Sequence, residues 1–243
     1  MKKEIYESYK EMAVFLSGYR LKNTLEDSTF TQSSKSLHKK LFSLLIFVGE
    51  LDNENDDISV DALQMQYFKE IVSDLVLSFF CWTTCTYKPA SLQLRSAIEN
   101  FIRTMLFNSN PNVIAIKNVF QLFDDAKIDI SFSSKPCSHS FDLLHQIYID
   151  LCGFVHSSSD RHIQNISFSQ VVAFDGTFSS EYIRNFETVL NNILAVLYFN
   201  YYGFIFENMH ELNISLFLDG IPKSLKKTFY DAKMSEINNR PVR

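Results

Sequence analysis

Residues 89–108 read PASLQLRSAIENFIRTMLFN, and this stretch decides the fold prediction. Its apolar residues recur at spacings of three and four, which is typical of an amphipathic helix, and Pro89 suits the first turn of such a helix. Arg95, Glu99 and Arg103 lie four residues apart, so they share one helical face. The sequence therefore predicts a helix that combines a buried apolar side with a charged stripe.

The rest of the chain has the composition of an all-α protein. Of its 243 residues 46% are hydrophobic, including 23 Phe, and only 6 Gly and 5 Pro interrupt them. Few breakers and many large apolar side chains favour long helices, so we predict one domain, residues 1–243, folded as an antiparallel helical bundle. The predicted helices cover approximately residues 3–21, 36–51, 59–86, 89–108, 111–125, 140–156, 179–209 and 222–238. Ser59, Ser140 and either Ser179 or Ser180 are the predicted N-caps, and residues 23–34 are predicted to form a loop.

Two segments have the alternating apolar pattern of strands. Residues 163–174 are the better candidate, and Asp175-Gly176 follows them as a turn signal. We therefore expect a small β-hairpin near residues 163–176. Residues 127–136 also fit a short strand, because Ile128, Ile130 and Phe132 alternate with polar residues.

The charge of the chain argues against general binding of polyanions. A net charge of −5 gives no overall attraction to nucleic acid or anionic lipid. Such binding would need a local basic patch, and the longest basic stretches are short, at residues 35–40 (KSLHKK) and 223–227 (KSLKK). The basic start of the chain has no apolar segment behind it, so we predict no signal peptide and expect a cytoplasmic, reduced protein.

One stretch is a candidate for a membrane span. Residues 188–206 (TVLNNILAVLYFNYYGFIF) carry no charge over 19 residues, which is near the length that crosses a bilayer. Three asparagines lie inside the stretch, however, and no basic cluster flanks it. We therefore expect a buried central helix and no membrane association.

The charged stripe has a candidate partner in residues 148–162 (YIDLCGFVHSSSDRH). The residues that could form a site together are Arg95, Glu99, His156, Asp160, Arg161 and His162. In one interpretation Arg95 and Glu99 form an ion pair within their helix, and His156 caps carbonyls at the end of another helix. In the other, arginine holds a phosphodiester while His156 moves a proton.

At these residues the chain resembles the HEPN-like helical-bundle proteins of bacteria, which include abortive-infection and toxin-type ribonucleases. The resemblance rests on LRSAIENFIR, followed about 50 residues later by YIDLCGFVHSSS. Cys152 stands where such relatives often have serine. The residues that match the two motifs are Arg95, Ser96 and Glu99 in the first and Tyr148, Val155 and His156 in the second.

The resemblance implies a HEPN-like core at about residues 36–210, with the helix at 222–238 as an appendage. It also implies a defence or toxin–antitoxin protein that binds or cleaves RNA as a homodimer, without metal or cofactor. His156 would act as a base on the ribose 2′-hydroxyl, with Arg95 or Arg161 stabilising the phosphate, and Glu99 and His162 completing the site.

The chain departs from the family in one respect. Active relatives carry an arginine four to six residues before the histidine, whereas Asp150 and Leu151 occupy those positions here. The alternative is therefore an inactive helical module that dimerises or binds a protein partner, such as an antitoxin.

Cys81 and Cys85 raise a further alternative. At a spacing of four they would share a helical face, and Cys152 or His156 could complete a zinc site. Their neighbours Phe79, Phe80 and Trp82 favour core packing instead.

Overall fold

Ten α-helices and no strand make up the described chain in this computed structural model, which describes residues 2–17, 26–53, 60–156, 160 and 173–238. The predicted all-α bundle is confirmed. The helices are α1 (Lys3–Ser17), α2 (Ser28–Asn53), α3 (Ala62–Thr83), α4 (Tyr87–Leu106), α5 (Val119–Ile128), α6 (Lys135–His156), α7 (Gly176–Asn200), α8 (Tyr202–Glu207), α9 (Glu211–Gly220) and α10 (Lys223–Asn238). Two 3-10 turns, Pro111–Ala115 and Ile130–Phe132, flank α5.

Helix α4 lies at the centre of the bundle, packed against α3, α5, α6 and α7. Of the apolar positions of the predicted amphipathic pattern, Leu94, Ile98 and Ile102 are fully buried, and Phe101 is buried beside them. Burial of one such side chain contributes roughly 1.5–3 kcal/mol, so this face alone is a large part of the driving force for the fold. Pro89 lies in the first turn of α4, as predicted.

Helix α7 contains the first part of the uncharged stretch 188–206 and is buried on most sides, as expected of a central helix. The predicted continuous helix to Met209 is wrong, because α7 ends at Asn200 and α8 begins at Tyr202. The side-chain Nδ2 of Asn200 donates to the backbone carbonyls of Ser131 (3.1 Å) and Val196 (3.0 Å) at this break. Within the described ranges no helix has both the length and the apolar character needed to cross a membrane.

Five predicted helix starts are wrong, and in each case a different residue begins the helix. The predicted start at Pro111 forms a 3-10 turn instead, and α5 begins at Val119. Asp61, not Ser59, caps α3, with its carboxylate accepting the Leu63 amide at 2.8 Å. The predicted loop 23–34 is helical from Ser28, because Phe30 is buried against Trp82 with ring centroids 4.6 Å apart. Ser140 is a buried residue inside α6, which begins at Lys135.

The predicted strand at 127–136 is also wrong. Its residues end α5, form the second 3-10 turn and begin α6. Ile128 is 84% exposed although Phe132 is buried, so the alternation does not define one face of a sheet. The Asp129 side chain accepts the Ser131 amide at 2.8 Å and starts the 3-10 turn instead.

The predicted hairpin near 163–176 falls largely on residues 163–172, which lie outside the described ranges. Its turn signal, Asp175-Gly176, is not a turn. Asp175 is the N-cap of α7 and accepts the amides of Thr177 (2.8 Å) and Phe178 (3.0 Å), so the predicted cap at Ser179 or Ser180 is wrong as well. Aspartate followed by glycine is common both in turns and at helix N-caps, and here Asp175 is an N-cap.

The structure contradicts the zinc alternative, because Cys85 lies beyond the end of the helix that contains Cys81 and so does not share a helical face with it. Helix α3 ends at Thr83, and Cys85 follows with a φ of 60°, the left-handed conformation usual for glycine at this place. The amides of Cys85 and Thr86 donate to the carbonyls of Trp82 (2.9 Å) and Cys81 (2.8 Å), which is a Schellman closure. In the described part of the chain no three His, Cys, Asp or Glu side chains are grouped to hold a metal.

Helix α9, which the sequence pattern did not predict, crosses α2 at very close range. The Ser43 hydroxyl donates to the Leu216 carbonyl at 2.8 Å. A Cβ on Gly220 would lie 2.5 Å from Ser43 Oγ and 2.6 Å from Ser43 Cβ. Only glycine therefore fits at this crossing.

We expect Gly220→Ala to destabilise the protein by about 2 kcal/mol, because the added methyl group overlaps Ser43 and the two helices must separate. Gly49→Ala is the matched control. Gly49 lies within α2 with open space around it, so alanine there should stabilise by about 0.5–1 kcal/mol through helix propensity. Urea unfolding of both variants measures the difference, and a neutral or stabilising Gly220→Ala would contradict the packing.

The buried side chain of His38 joins α1 to α2. Its Nε2 lies 3.2 Å from Ser8 Oγ, and its ring packs between Tyr9 and Phe42. Burial lowers the pKa of His38 to about 4. The folded protein therefore holds this imidazole neutral over a pH range in which the unfolded chain protonates it.

We expect the free energy of unfolding to fall as pH drops from about 6.5 toward 4, by up to about 3 kcal/mol from His38, because protonation favours the unfolded chain. In His38→Gln this contribution should disappear. His139→Gln, which replaces an exposed histidine of α6, should retain the wild-type pH dependence. Urea unfolding at several pH values tests this, and parallel curves for wild type and His38→Gln would refute it.

Candidate functional site

The site predicted from the sequence lies where α4 packs on α6. Arg95 faces Cys152, and Glu99, one turn later on α4, faces Tyr148, one turn earlier on α6. The two helices are therefore antiparallel at this point. Residues 148, 152 and 156 follow one another at four-residue spacing, so they form one stripe along α6.

Arg95 binds two side chains on α6. Its Nη2 donates to Tyr148 Oη at 2.8 Å and its Nε to Cys152 Sγ at 3.2 Å. The guanidinium also lies 5.0 Å from the centre of the Tyr148 ring, within cation–π range. Its side chain is 28% exposed, so the group borders solvent while its position is fixed.

Glu99 is shared unequally between two arginines. Its Oε1 lies 2.9 Å from Arg103 Nη2, whereas its Oε2 lies 3.9 Å from Arg95 Nη2 and accepts the Tyr148 hydroxyl at 3.4 Å. The predicted Arg95–Glu99 pair is thus the weaker of the two. Two guanidiniums with one carboxylate leave a net positive charge in the network.

Arg103, the third charged residue on this face of α4, has a structural role. Its side chain is only 10% exposed, and Nη1 donates to the carbonyls of Val113 (3.0 Å) and Ile116 (2.8 Å). These bonds tie the 3-10 turn after α4 to the helix itself. A buried cation with all these partners stabilises the turn and is not available for a ligand.

Ionisation in the network follows from burial and pairing. Burial opposes the charge on Arg95, but hydrogen bonds to Cys152 and Tyr148 outweigh it, so the pKa of Arg95 is raised. Burial raises the pKa of the Tyr148 phenol to about 12 in spite of Arg95. At neutral pH the site therefore holds a cation and a neutral phenol that donates hydrogen bonds.

His156 is the last residue of α6 and is exposed. It lies one turn beyond Cys152, a rise of about 6 Å along the helix. Arg161 and His162 lie outside the described ranges, and Asp160 is exposed. The structure thus places Arg95 beside Glu99 on α4, and His156 at the exposed end of α6.

Asp74 on α3 borders the same helix and was not predicted from the sequence. It is 4% exposed and accepts a hydrogen bond from Asn100 Nδ2 at 2.9 Å. Burial raises the pKa of Asp74, and hydrogen bonds from Ser96 and Asn100 oppose the increase. The available signal was an acid that directly precedes the apolar second half of α3.

Comparison with known proteins finds no matching family model, no matching curated protein and no matching solved structure.

We expect Arg103→Met to destabilise the fold by roughly 3 kcal/mol, because it leaves Glu99 and two turn carbonyls without their donor. Arg184→Met is the control, since Arg184 is exposed on α7 and its loss should change stability by less than about 0.5 kcal/mol. Thermal and urea unfolding measure both variants. A similar small effect for both would contradict a structural role for Arg103.

Proposed function

We propose that the α4–α6 face binds RNA at a backbone phosphate through Arg95 and cleaves it with His156 as the base. The observation that carries this proposal is the unequal sharing of Glu99, which leaves the half-buried Arg95 guanidinium with only a long contact of 3.9 Å to a carboxylate that Arg103 holds at 2.9 Å. A fixed, partly exposed arginine with excess positive charge suits a phosphodiester. A defence or toxin–antitoxin role and a homodimer belong to the same proposal, from the resemblance to HEPN-like proteins.

The chemistry needs a base and a cation. His156 would take the proton from the ribose 2′-hydroxyl, whose oxygen attacks phosphorus. The bond from phosphorus to the 5′-oxygen breaks, and that oxygen leaves with a proton from solvent. Arg95 would stabilise the charge on the phosphate, in place of the arginine that relatives carry on the helix of the histidine.

The inactive interaction module is the second candidate. Leu151, at one of the positions where relatives carry arginine, is buried, so α6 supplies no cation of its own there. Absence of both RNA binding and cleavage would favour this alternative.

RNA binding is tested by fluorescence anisotropy with a single-stranded oligonucleotide of mixed sequence. Arg95→Gln should weaken binding about tenfold, because it removes one phosphate contact, and should reduce the salt dependence accordingly. Arg184→Gln, which removes an exposed arginine elsewhere, should bind as the wild type does. Equal affinity of all three proteins would refute the role of Arg95.

Cleavage is followed in the presence of EDTA by the appearance of 2′,3′-cyclic phosphate ends. His156→Ala should lower the rate at least about 100-fold, since general-base catalysis is lost. His139→Ala replaces an exposed histidine on the same helix and should leave the rate unchanged. Cleavage equal in both variants, or none by the wild type, would leave only the binding form of the proposal. Sedimentation velocity of the wild-type protein tests the homodimer.

A further inference from the structure

The two basic stretches of the sequence meet in space although they lie more than 180 residues apart. A cleft of about 330 Å³ opens between α2, α7 and the turn that joins α9 to α10. Its charged lining consists of Lys39, Lys40, Glu187, Asp219, Lys223 and Lys226. The local basic patch that neither stretch provides alone is therefore formed by the fold.

The cleft carries an excess of positive charge. Glu187 lies 3.5 Å from Lys40, and Asp219 lies 3.5 Å from Lys2 at the edge. Four lysines and two carboxylates line the cleft, which leaves two positive charges within the lining. Because the whole chain has a net charge of −5, this excess is a local feature and not a consequence of composition.

Two of the lysines are held in position. Lys40 is only 9% exposed, and its Nζ donates to Asn191 Oδ1 at 2.7 Å. Lys226 Nζ donates to the Leu218 carbonyl at 3.4 Å. Lys39 is partly exposed and Lys223 is exposed, so their ammonium groups can adjust to a ligand.

The backbone at the cleft contributes partial charges of both signs, because the last carbonyls of α9 and the first amides of α10 lie at the same turn. Helix α10 is 16 residues long and begins at the cleft with Lys223, while the preceding Pro222 carbonyl accepts the Lys226 amide at 2.9 Å. The first amides of a helix have no partner within it and carry partial positive charge. Here they accompany convergent lysines from α2, which is the arrangement that favours phosphate.

We propose that this cleft binds a compact ligand with two or more linked phosphates, such as the diphosphate or triphosphate part of a nucleotide. An excess of two positive charges favours a multivalent anion, and the volume is at the lower end of small-molecule sites. The lysines converge on a concave site and do not form a track along the surface, which favours a small ligand over RNA. The proposal does not depend on the RNA proposal for Arg95.

The test uses the full chain and isothermal titration calorimetry with inorganic pyrophosphate and with ATP at low ionic strength. We expect saturable binding with a Kd below about 1 mM. The double variant Lys39→Gln/Lys223→Gln should weaken binding of both ligands at least about tenfold, because it removes two charges from the cleft. Lys227→Gln, on α10 but outside the lining, should bind within about twofold of wild type.

Both substituted lysines are outside the core, and circular dichroism and thermal unfolding check that the variants fold. Absence of saturable binding, or equal binding by the double variant and wild type, would overturn the proposal. Binding of monophosphate as tight as that of pyrophosphate would overturn the preference for linked phosphates. If the double variant lost affinity for the RNA oligonucleotide and retained affinity for pyrophosphate, the cleft would be an RNA contact and the small-ligand proposal would fail.

Discussion

One carboxylate, Glu99, serves two arginines on the most buried helix of the bundle, and much of the α4–α6 region depends on how it is shared. Arg103 lies in the interior and must be paired, so it takes the short contact with Glu99 and the carbonyls of Val113 and Ile116. That choice fixes the 3-10 turn after α4. Arg95, in contrast, makes its close hydrogen bonds to Tyr148 and Cys152 on the facing helix.

Helices with strong periodicity, such as α4 and α10, could be predicted because burial of one face decides both their existence and their position. The starts of α3 and α7 could not be predicted from serine alone, because Asp61 and Asp175 provide the N-caps instead. Helix α9 was missed because its position depends on a close crossing with α2 at Gly220 and Ser43, which has no local pattern. The apolar alternation at 127–136 gave a wrong strand prediction for a related reason. A 3-10 turn there buries Phe132 and leaves Ile130 exposed.

The candidate site shows the same limit at the level of side chains. Spacing of four places Arg95, Glu99 and Arg103 on one face, and that much is local geometry. Which arginine receives the carboxylate depends on burial, and burial depends on the turn at residues 111–116, which is remote from the motif. Similarly, the sequence marked residues 148–162 as a candidate partner segment, but only the antiparallel packing of α6 on α4 makes Tyr148 and Cys152 the partners of Arg95.

The net charge of this chain is negative, whereas the charged groups at the two proposed sites give a local excess of positive charge. The local charges determine how the protein contacts an anionic ligand. A charge of −5 spread over the whole chain is screened within about 10 Å at ordinary ionic strength, which is shorter than the width of the bundle. A bound anion therefore responds to the groups that line its own site. Around Lys40 those groups are lysines from both ends of the chain, and around Arg95 they are a second arginine and a shared carboxylate. An acidic chain can thus present two separate cationic surfaces, because folding sorts its charges by position while composition counts them without regard to place.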